Sequence, residues 1–286
     1  MPFTTPSGRL DLLEPPPNQA ERPRPRLVEA AVLNHHHVAD RYWSIHLHAP
    51  EIAATAQPGQ FVMLTVAQPH ENAPVLPRPM AIYTSDPANG SIEVMYGVVG
   101  AGTTRLTKIP VGATTTTVGP LGQSFTIHPD TRHILLVGRG IGTCSLTSLA
   151  FEATRLGVGV TAVDSARTAH ALIADETYQR ASVERLIQVT DSDGTSAPSA
   201  VESTLNAIVH FQPHQIFTCG SVRLAHLCGE LGERWSSEVQ VSLEAHMACG
   251  LGYCHGCATG TRTADEESPL ICKDGPVFRL MPPVPG

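Results

Sequence analysis

Four of the chain's seven cysteines fall close together near its end, as Cys249-Gly-Leu-Gly-Tyr-Cys254-His-Gly-Cys257 and then Cys272. Thiols at C-x4-C-x2-C spacing, with a fourth further on, force the backbone to wrap closely around whatever they hold. Gly250, Gly252 and Gly256 lie between them and allow the left-handed turns and close amide approach that such wrapping requires. The spacing is that of plant-type [2Fe–2S] loops. A zinc knot on the same thiolates is the competing reading, but zinc sites commonly use two short hooks and Cys272 stands alone. Cys249, Cys254, Cys257 and Cys272 are therefore the candidate metal ligands. His255 reads as a neutral loop residue, because four cysteines already complete the set. Cys144, Cys219 and Cys228 are scattered and read as small buried residues.

The rest of the chain bounds the function classes. Lys and Arg number 19 against 26 Asp and Glu, a net charge of −7, which argues against gripping nucleic acid or anionic lipid through bulk charge. Residues 1–26 are broken by Pro15, Pro16, Pro17, Pro23 and Pro25 and carry no apolar signal core. We expect an extended or partly disordered arm there, and a soluble, cytoplasmic protein with no membrane segment. Apolar residues make up 42% of 286 positions, enough for a sizeable core, and aromatics only 5%, so that core is aliphatic.

Patterning divides the chain into three further parts. From 27 to 124, short apolar runs such as Val28–Val32, Tyr42–Leu47, Gln60–Val66, Ile92–Tyr96 and Thr114–Val118 alternate with Gly, Pro and Asn, predicting a small antiparallel β-barrel. From 125 to 240, strand runs at His133–Val137, Val158–Val163, Leu186–Thr190 and Ile216–Cys219 alternate with helical stretches. Leu146, Leu149, Ala150, Ala153 and Leu156 mark the first helix, ending near Gly157. That alternation predicts a doubly wound α/β domain. Residues 241–286 hold the cysteines and a last strand signal at Pro276–Leu280, read as a small cluster subdomain.

Two constellations lie upstream of the cysteines. Gly138-Arg139-Gly140-Ile141-Gly142 joins a buried strand to an amphipathic helix, where a nucleotide diphosphate can meet amide donors. Asp164 on the next strand suits a ribose and Arg167 a 2′-phosphate, which pull cofactor choice in opposite directions. In the barrel, Arg78-Pro79-Met80-Ala81 and Gly100-Ala101-Gly102-Thr103 supply a cation and a small-residue turn that suit a pyrophosphate equally as well as an ordinary salt-bridged surface. His35-His36-His37 and the distant Trp43 and Trp235 read as structural.

In this order the motifs resemble the ferredoxin–NADP reductase superfamily. The likeness is closest to its iron–sulfur branch, typified by electron-transfer subunits of NAD-linked, two-subunit dihydroorotate dehydrogenases. It covers residues 27–280 and rests on RPMAIY at 78–83, GAGTTRL at 100–106, GPLGQSF at 119–125, LLVGRGIG at 135–142, TCGS at 218–221, the cysteine cluster and CKDGPVF at 272–278. The resemblance implies that Arg78, Pro79, Met80 and Ala81 line an FAD, that Met95, Tyr96 and Gly97 flank it, and that Gly102 and Thr103 hold its pyrophosphate. It implies that Gly138, Gly140 and Gly142 receive NAD(P)H, with Cys219 and Gly220 near the nicotinamide. The four cysteines would hold the [2Fe–2S] cluster.

On this resemblance the chain is an oxidoreductase subunit passing electrons between a partner flavoprotein and NAD(P) in a hetero-oligomer. A dihydroorotate-dehydrogenase-like catalytic subunit of pyrimidine biosynthesis is the expected partner. A reductase component for an oxygenase, sulfite reductase or hydrogenase is the alternative, and a non-catalytic redox sensor a third. Placement and redox potential do the work, so no side chain is nominated as catalytic acid or base. The chain departs from the family at Ala81, usually Ser or Thr, at Arg139, usually glycine, and at Ser145 and Ser221, usually proline.

Overall fold

The computed structural model describes residues 13–14, 22–67, 75–208, 212–260 and 267–281. A two-residue strand, β1 (Leu13–Glu14), precedes an antiparallel sheet of β2 (Arg26–Ala39), β3 (Tyr42–His48), β4 (Phe61–Leu64), β5 (Arg78–Ala81), β6 (Thr84–Asp86), β7 (Ser91–Gly97) and β8 (Thr114–Leu121). Short helices α1 (Pro50–Ala53) and α2 (Ala101–Leu106) fill two connections. The strand order is β5-β4-β8-β2-β3-β7-β6. Its two edge strands are consecutive in the chain. Between them the Ile82 N–H donates to the Gln60 carbonyl at 3.0 Å and the Tyr83 N–H to that of Glu93 at 2.8 Å. One continuous stretch therefore serves both edges and curls the sheet on itself.

Period-two alternation builds the interior of this sheet. Ala30, Val32, Ile45, Leu47, Ile92, Val94 and Tyr96 point inward and are buried. Thr114 to Thr117 alternate between outward and inward positions, as a half-exposed strand should. His36 and His37 are exposed. His35 is half-buried, its ring nitrogens on the Ile109 carbonyl at 2.7 Å and the Tyr96 hydroxyl at 2.8 Å. The histidine triplet is structural.

The second sheet comprises β9 (His133–Arg139), β10 (Gly159–Ala166), β11 (Arg185–Thr190), β12 (Gln215–Cys219), β13 (Glu238–Ser242) and β14 (Val277–Leu280). Its helices are α3 (Cys144–Arg155), α4 (Asp175–Arg180), α5 (Pro198–Ile208) and α6 (Val222–Trp235). The order is β1-β14-β13-β12-β9-β10-β11, parallel from β13 to β11. Strand order reverses at β9, which has β10 on one side and β12 on the other. The run Ile134-Leu135-Leu136-Val137 is apolar throughout because both faces are covered. Ile134 and Leu136 pack with Leu146, Leu149 and Ala150 of α3, whereas Leu135 and Val137 pack with Leu205 of α5 and Leu224 of α6.

Two sequence expectations change here. The boundary placed between 240 and 241 falls inside β13. β14 returns to pair antiparallel with it, Val241 opposite Phe278 and Ser242 opposite Val277. The cysteine loop is therefore an excursion between two adjacent strands near one side of the α/β sheet. The N-terminal arm is also not wholly detached. Leu13 and Glu14 pair with Leu280 and Arg279, and an Arg22 Nη1 donates to the Lys273 carbonyl at 2.6 Å. The rest of the arm through Glu21 lies outside the described residues. Among the described residues no helix is long and apolar enough to cross a membrane.

Side chains from both sheets interlock. Tyr42, Tyr83 and Met95 of the first share a buried cluster with Cys144, Ala166 and Ala171 of the second. The Thr147 hydroxyl donates to the Tyr83 carbonyl at 2.7 Å. A second buried cluster joins Phe61, Met63 and Leu121 to Cys257, Ile271, Cys272 and Phe278, so the cysteine loop is seated between the two sheets.

Candidate functional site

Two of the three loop glycines take the left-handed turns expected of them, whereas at the third place it is His255, not Gly256, that has positive φ. Gly250 and Gly252 have φ of 70° and 81°, and a β-carbon on Gly250 would lie 2.5 Å from Met63 Cγ. The turns aim amides at sulfur. Leu251 N–H donates to Cys249 Sγ at 3.4 Å, Gly252 N–H to Cys272 Sγ at 3.1 Å and Cys272 N–H to Cys257 Sγ at 3.4 Å. Cys249 hydrogen-bonds Cys254, and Cys257 hydrogen-bonds Cys272. Cys257 and Cys272 are buried and Cys254 is exposed.

Sulfur acidity follows from these contacts. The hydrogen bond with Cys272, helped by backbone amides, holds the Cys257 thiol down at about 6, while the same contact raises that of Cys272. Burial opposes ionisation of Cys249, but the amides of Leu251, Cys254 and Tyr253 outweigh it and bring that thiol to about 7. Among the described residues no three His, Cys, Asp or Glu side chains are gathered so as to hold one metal ion. The thiols instead group two and two, with amide donors toward the sulfurs. That donor set fits a [2Fe–2S] centre held by four cysteines, two to each iron. His255, at φ 55°, is an exposed turn residue.

On the first sheet, Arg78, Gly102 and Thr103 converge. A β-carbon on Gly102 would lie 2.3 Å from Arg78 Nε, so the guanidinium rests on the opening turn of α2. Thr103 Oγ1 accepts the amides of Val99 at 3.0 Å and Gly100 at 3.2 Å, fixing that turn. Arg78 Nη1 is anchored on the Leu76 carbonyl at 2.6 Å. Pro79 and Ala81 alternate with Arg78 and Met80 along β5, and the Met80 side chain packs into the core of the first sheet.

Strand β7 sorts the three residues expected beside the flavin onto two faces. Met95 and Gly97 lie on the face toward the second sheet, where Met95 packs with Tyr42 and a β-carbon on Gly97 would lie 3.4 Å from Tyr42 Cε1. Tyr96 points the other way, into the core of the first sheet, with its hydroxyl on His35. Strand alternation cannot put the side chains of adjacent residues on one face.

At the crest of the second sheet the glycines are sterically required. A β-carbon on Gly138 would lie 2.6 Å from Thr143 Oγ1, and one on Gly142 2.4 Å from Gly220 Cα. Gly140, at φ 53°, approaches the Tyr42 hydroxyl. The loops after β9 and β12 thus touch backbone to backbone across the point where strand order reverses, which is where ligands of open α/β sheets bind. Cys219 is buried beside them, its Sγ 3.7 Å from Ser145 Oγ. Burial, reinforced by the Glu244 carboxylate, pushes its thiol up to about 12, so it is neutral.

Asp164 is not where a ribose could reach it. β10 continues to Ala166, and Asp164 is 1% exposed, with Oδ1 accepting the Thr143 hydroxyl at 3.1 Å and Oδ2 buried without a hydrogen-bond partner. Its role is to hold the turn beneath the glycine loop. Burial, only partly offset by Thr143 and the Ala174 amide, raises its carboxyl from 3.8 to about 6. A raised carboxyl favours folding below the unfolded value and loses that contribution as pH rises through about 6. We expect Asp164→Asn to flatten the unfolding free energy between pH 4 and 7. At pH 7.5 it should add at most about 3 kcal/mol relative to the parent, as read by denaturant titration.

Sequence reasoning missed what surrounds Arg139. Its guanidinium donates to Ser165 Oγ at 2.9 Å and Asp191 Oδ2 at 2.5 Å, and Arg223 approaches Asp191 from the other side at 2.7 Å. These residues come from four separate segments, and only the strand order brings them together.

Known proteins resemble this chain over most of its length. The family model for the iron-sulfur cluster binding domain of dihydroorotate dehydrogenase B matches residues 244–281. The dihydroorotate dehydrogenase B (NAD(+)) electron transfer subunit of Geobacillus kaustophilus is 31% identical over 245 residues, 85% of this chain and 92% of the relative. That of Listeria monocytogenes serotype 4a is 29% identical over 255 residues, 88% and 96% of the two. Among solved structures, a chain of the NADH-dependent reduced ferredoxin-NADP oxidoreductase superposes with a TM-score of 0.73 at 26% identity, covering 88% of each chain. Phthalate dioxygenase reductase, at 12% identity and a TM-score of 0.58 over 77% of this chain and 70% of its own, shares the fold.

Proposed function

The chain belongs to the family of dihydroorotate dehydrogenase B electron transfer subunits, and on that premise we propose that it passes electrons between a flavoprotein catalytic subunit and NAD(P) through FAD and a [2Fe–2S] centre. When bound, a flavin takes up the two electrons of a hydride and releases them singly to an iron–sulfur centre. This chain's residues supply placement. Arg78, Gly102 and Thr103 hold the FAD pyrophosphate, and Pro79, Ala81, Met95 and Gly97 line the ring. Met80 and Tyr96 contribute backbone there. Gly138, Gly140 and Gly142 receive the nucleotide diphosphate on the doubly wound unit, and Cys219 and Gly220 border the nicotinamide. Cys219, neutral at working pH, adds no charge beside a transferring hydride. Cys249, Cys254, Cys257 and Cys272 hold the cluster.

One observation carries this reading. Gly250 in the cysteine loop lies against Met63 of β4, and β4 pairs residue by residue with β5, the Arg78–Ala81 strand. A single strand thus separates the sulfur-bearing loop from the strand assigned to the flavin. On the outer side Leu251 and Tyr253 stand 54% and 92% exposed around Cys254, an apolar rim suited to a protein partner. That partner is a dihydroorotate-dehydrogenase-like subunit, joined in a cytoplasmic hetero-oligomer.

The test is anaerobic purification with and without that catalytic subunit. We expect two irons, two acid-labile sulfides and one FAD per chain, flavin bands that bleach on adding reduced nicotinamide nucleotide, and dihydroorotate-dependent reduction of NAD+ only in the complex. Zinc in a colourless protein rejects the reading. Bleaching without any dihydroorotate-dependent activity moves the partner to another redox protein.

A further inference from the structure

We propose that Glu244, on the segment leading from β13 into the cysteine loop, supplies the proton that this chain's electron traffic requires; the inference rests on the electron-transfer reading above. The need is one of balance. Electrons that arrive through an iron–sulfur centre come singly and without protons, yet they leave on nicotinamide as a hydride. Written out, NAD+, two electrons and one H+ give NADH, so every turnover draws one proton from water into this chain. In the step assigned to Glu244, its carboxyl O–H bond breaks, the proton goes to the hydride site, and water reprotonates the carboxylate. Run in reverse, the same group returns the proton to solvent.

Glu244 stands where the parts of the molecule meet. β13 ends at Ser242, in register with Cys219 of β12, and the two side chains hydrogen-bond. Beyond it the Leu243 N–H donates to the Pro276 carbonyl at 2.9 Å. Leu243, Ala245 and Met247 then pack against the buried cluster of Phe61, Met63, Cys257 and Cys272. Glu244 and His246 alternate with them and are exposed, on the face that Ser242 shares with Cys219. The Glu244 carboxylate is near enough to raise both the Cys219 and the Cys144 thiols. Cys144 in turn packs with Tyr42 and Met95 of the first sheet. One carboxylate thus adjoins the residue assigned to the nicotinamide and lies a short step before the first cluster cysteine.

Its surroundings suit proton transfer. Glu244 reaches water, yet protein crowds it closely, and this desolvation raises its carboxyl above the ordinary value of 4.5. Among the described residues no donor or cation pairs with that carboxylate. An ion-paired carboxylate stays charged, whereas an unpaired one in a cleft takes a proton from water and gives it up inside. The groups facing it are His246 on its own segment and the Cys219 and Cys144 thiols, which burial keeps neutral. The other two carboxylates that bear on Cys144 are already engaged. Asp164 is buried on the Thr143 hydroxyl, and Glu93 holds the Ser44 hydroxyl at 2.6 Å, the Thr84 hydroxyl at 3.1 Å and the His46 ring at 3.1 Å. Glu244 alone of the three is free to cycle.

Glu244→Gln tests this in the full chain loaded with FAD and iron, because the amide keeps the shape and loses the titrating proton. Reduced methyl viologen, a donor of single electrons that carries no proton, drives NAD+ reduction. We expect kcat in this direction to fall about tenfold or more, with KM for NAD+ within about twofold of the parent. The parent's kcat should decline as pH rises and the carboxyl empties, and that limb should vanish in the variant. Single-turnover bleaching of the flavin by NADH, whose hydride brings its own proton, should change by less than about threefold. In NMR of side-chain-labelled glutamate, one carboxyl should titrate above the ordinary range and be missing from the variant. A Glu244→Gln chain that keeps the parent's kcat, or keeps its pH limb, overturns the proposal. An equal loss of bleaching by NADH also overturns it, because Glu244 then serves placement alone. If the parent neither bleaches with NADH nor reduces NAD+, the electron-transfer reading itself falls.

Discussion

A Cys257→Ser chain is expected to lose essentially all of its iron and acid-labile sulfide while keeping its flavin and the ability of reduced nucleotide to bleach it. Cys257 and Cys272 are the buried pair of the loop, hydrogen-bonded to each other and backed by Leu270, Ile271 and Phe278. Serine nearly matches cysteine in size, so the loop has no steric reason to unfold. The loss is chemical, because a hydroxyl is a far weaker acid than a thiol and a poor match for the soft thiolate set that selects iron–sulfur centres. Dihydroorotate-dependent NAD+ reduction in the complex should fall to background, since the hydride site and the partner then lack a one-electron relay between them. Cys228→Ser serves as the comparison. Cys228 is fully buried among Leu224, Leu227 and Leu231 and well away from the loop, so its replacement should lower stability by about 1–2 kcal/mol and leave iron content unchanged. Full iron and sulfide in the Cys257→Ser protein would refute the four-thiolate assignment.

Local periodicity carried much of this structure into the sequence, and long-range pairing carried the rest out of reach. The strand runs at Tyr42–Leu47, Ile92–Tyr96 and His133–Val137 lie within observed strands, and the first helix stops at Arg155, just before Gly157 at φ +74°. The alternation Ile92-Glu93-Val94-Met95-Tyr96 is itself enough to send Tyr96 inward with Ile92 and Val94, whatever motif the residue belongs to. Asp164 is harder. In a central parallel strand both faces are buried, so no alternation marks a polar residue as internal. The return of β14 to β13, and of Leu13 to Leu280, joins segments far apart in sequence that no local signal connects. The same holds for Arg139, Asp191 and Arg223, whose separate positions say nothing of a shared site. They meet only because β9, β10, β11 and β12 lie side by side, which makes the chemistry of the crest a property of topology.

Gly220→Ala is expected to destabilise the protein by about 4 kcal/mol, from backbone strain and overpacking together. Gly220 sits at φ +90°, and its β-carbon would lie 2.2 Å from the Arg139 carbonyl oxygen and 3.0 Å from Gly142 Cα. Both are backbone atoms, so no side chain can swing aside. Nor can the strands part, because β9 and β12 pair in register up to Gly138 opposite Cys219. The remaining outlet is the glycine loop itself, which must lift off the β12 turn. Melting should therefore fall by roughly 10 °C. Flavin reduction by nucleotide should also fall several-fold at temperatures where the variant remains folded, because the amides that receive the diphosphate have moved. Gly157→Ala isolates the strain. Gly157 has φ +74° with nothing within 4 Å of where a β-carbon would sit, so it should cost about 1 kcal/mol and leave flavin reduction unchanged. If the two alanine variants melt together and reduce flavin equally, the loops after β9 and β12 do not press on one another, and the crest cannot be holding the nucleotide by that contact.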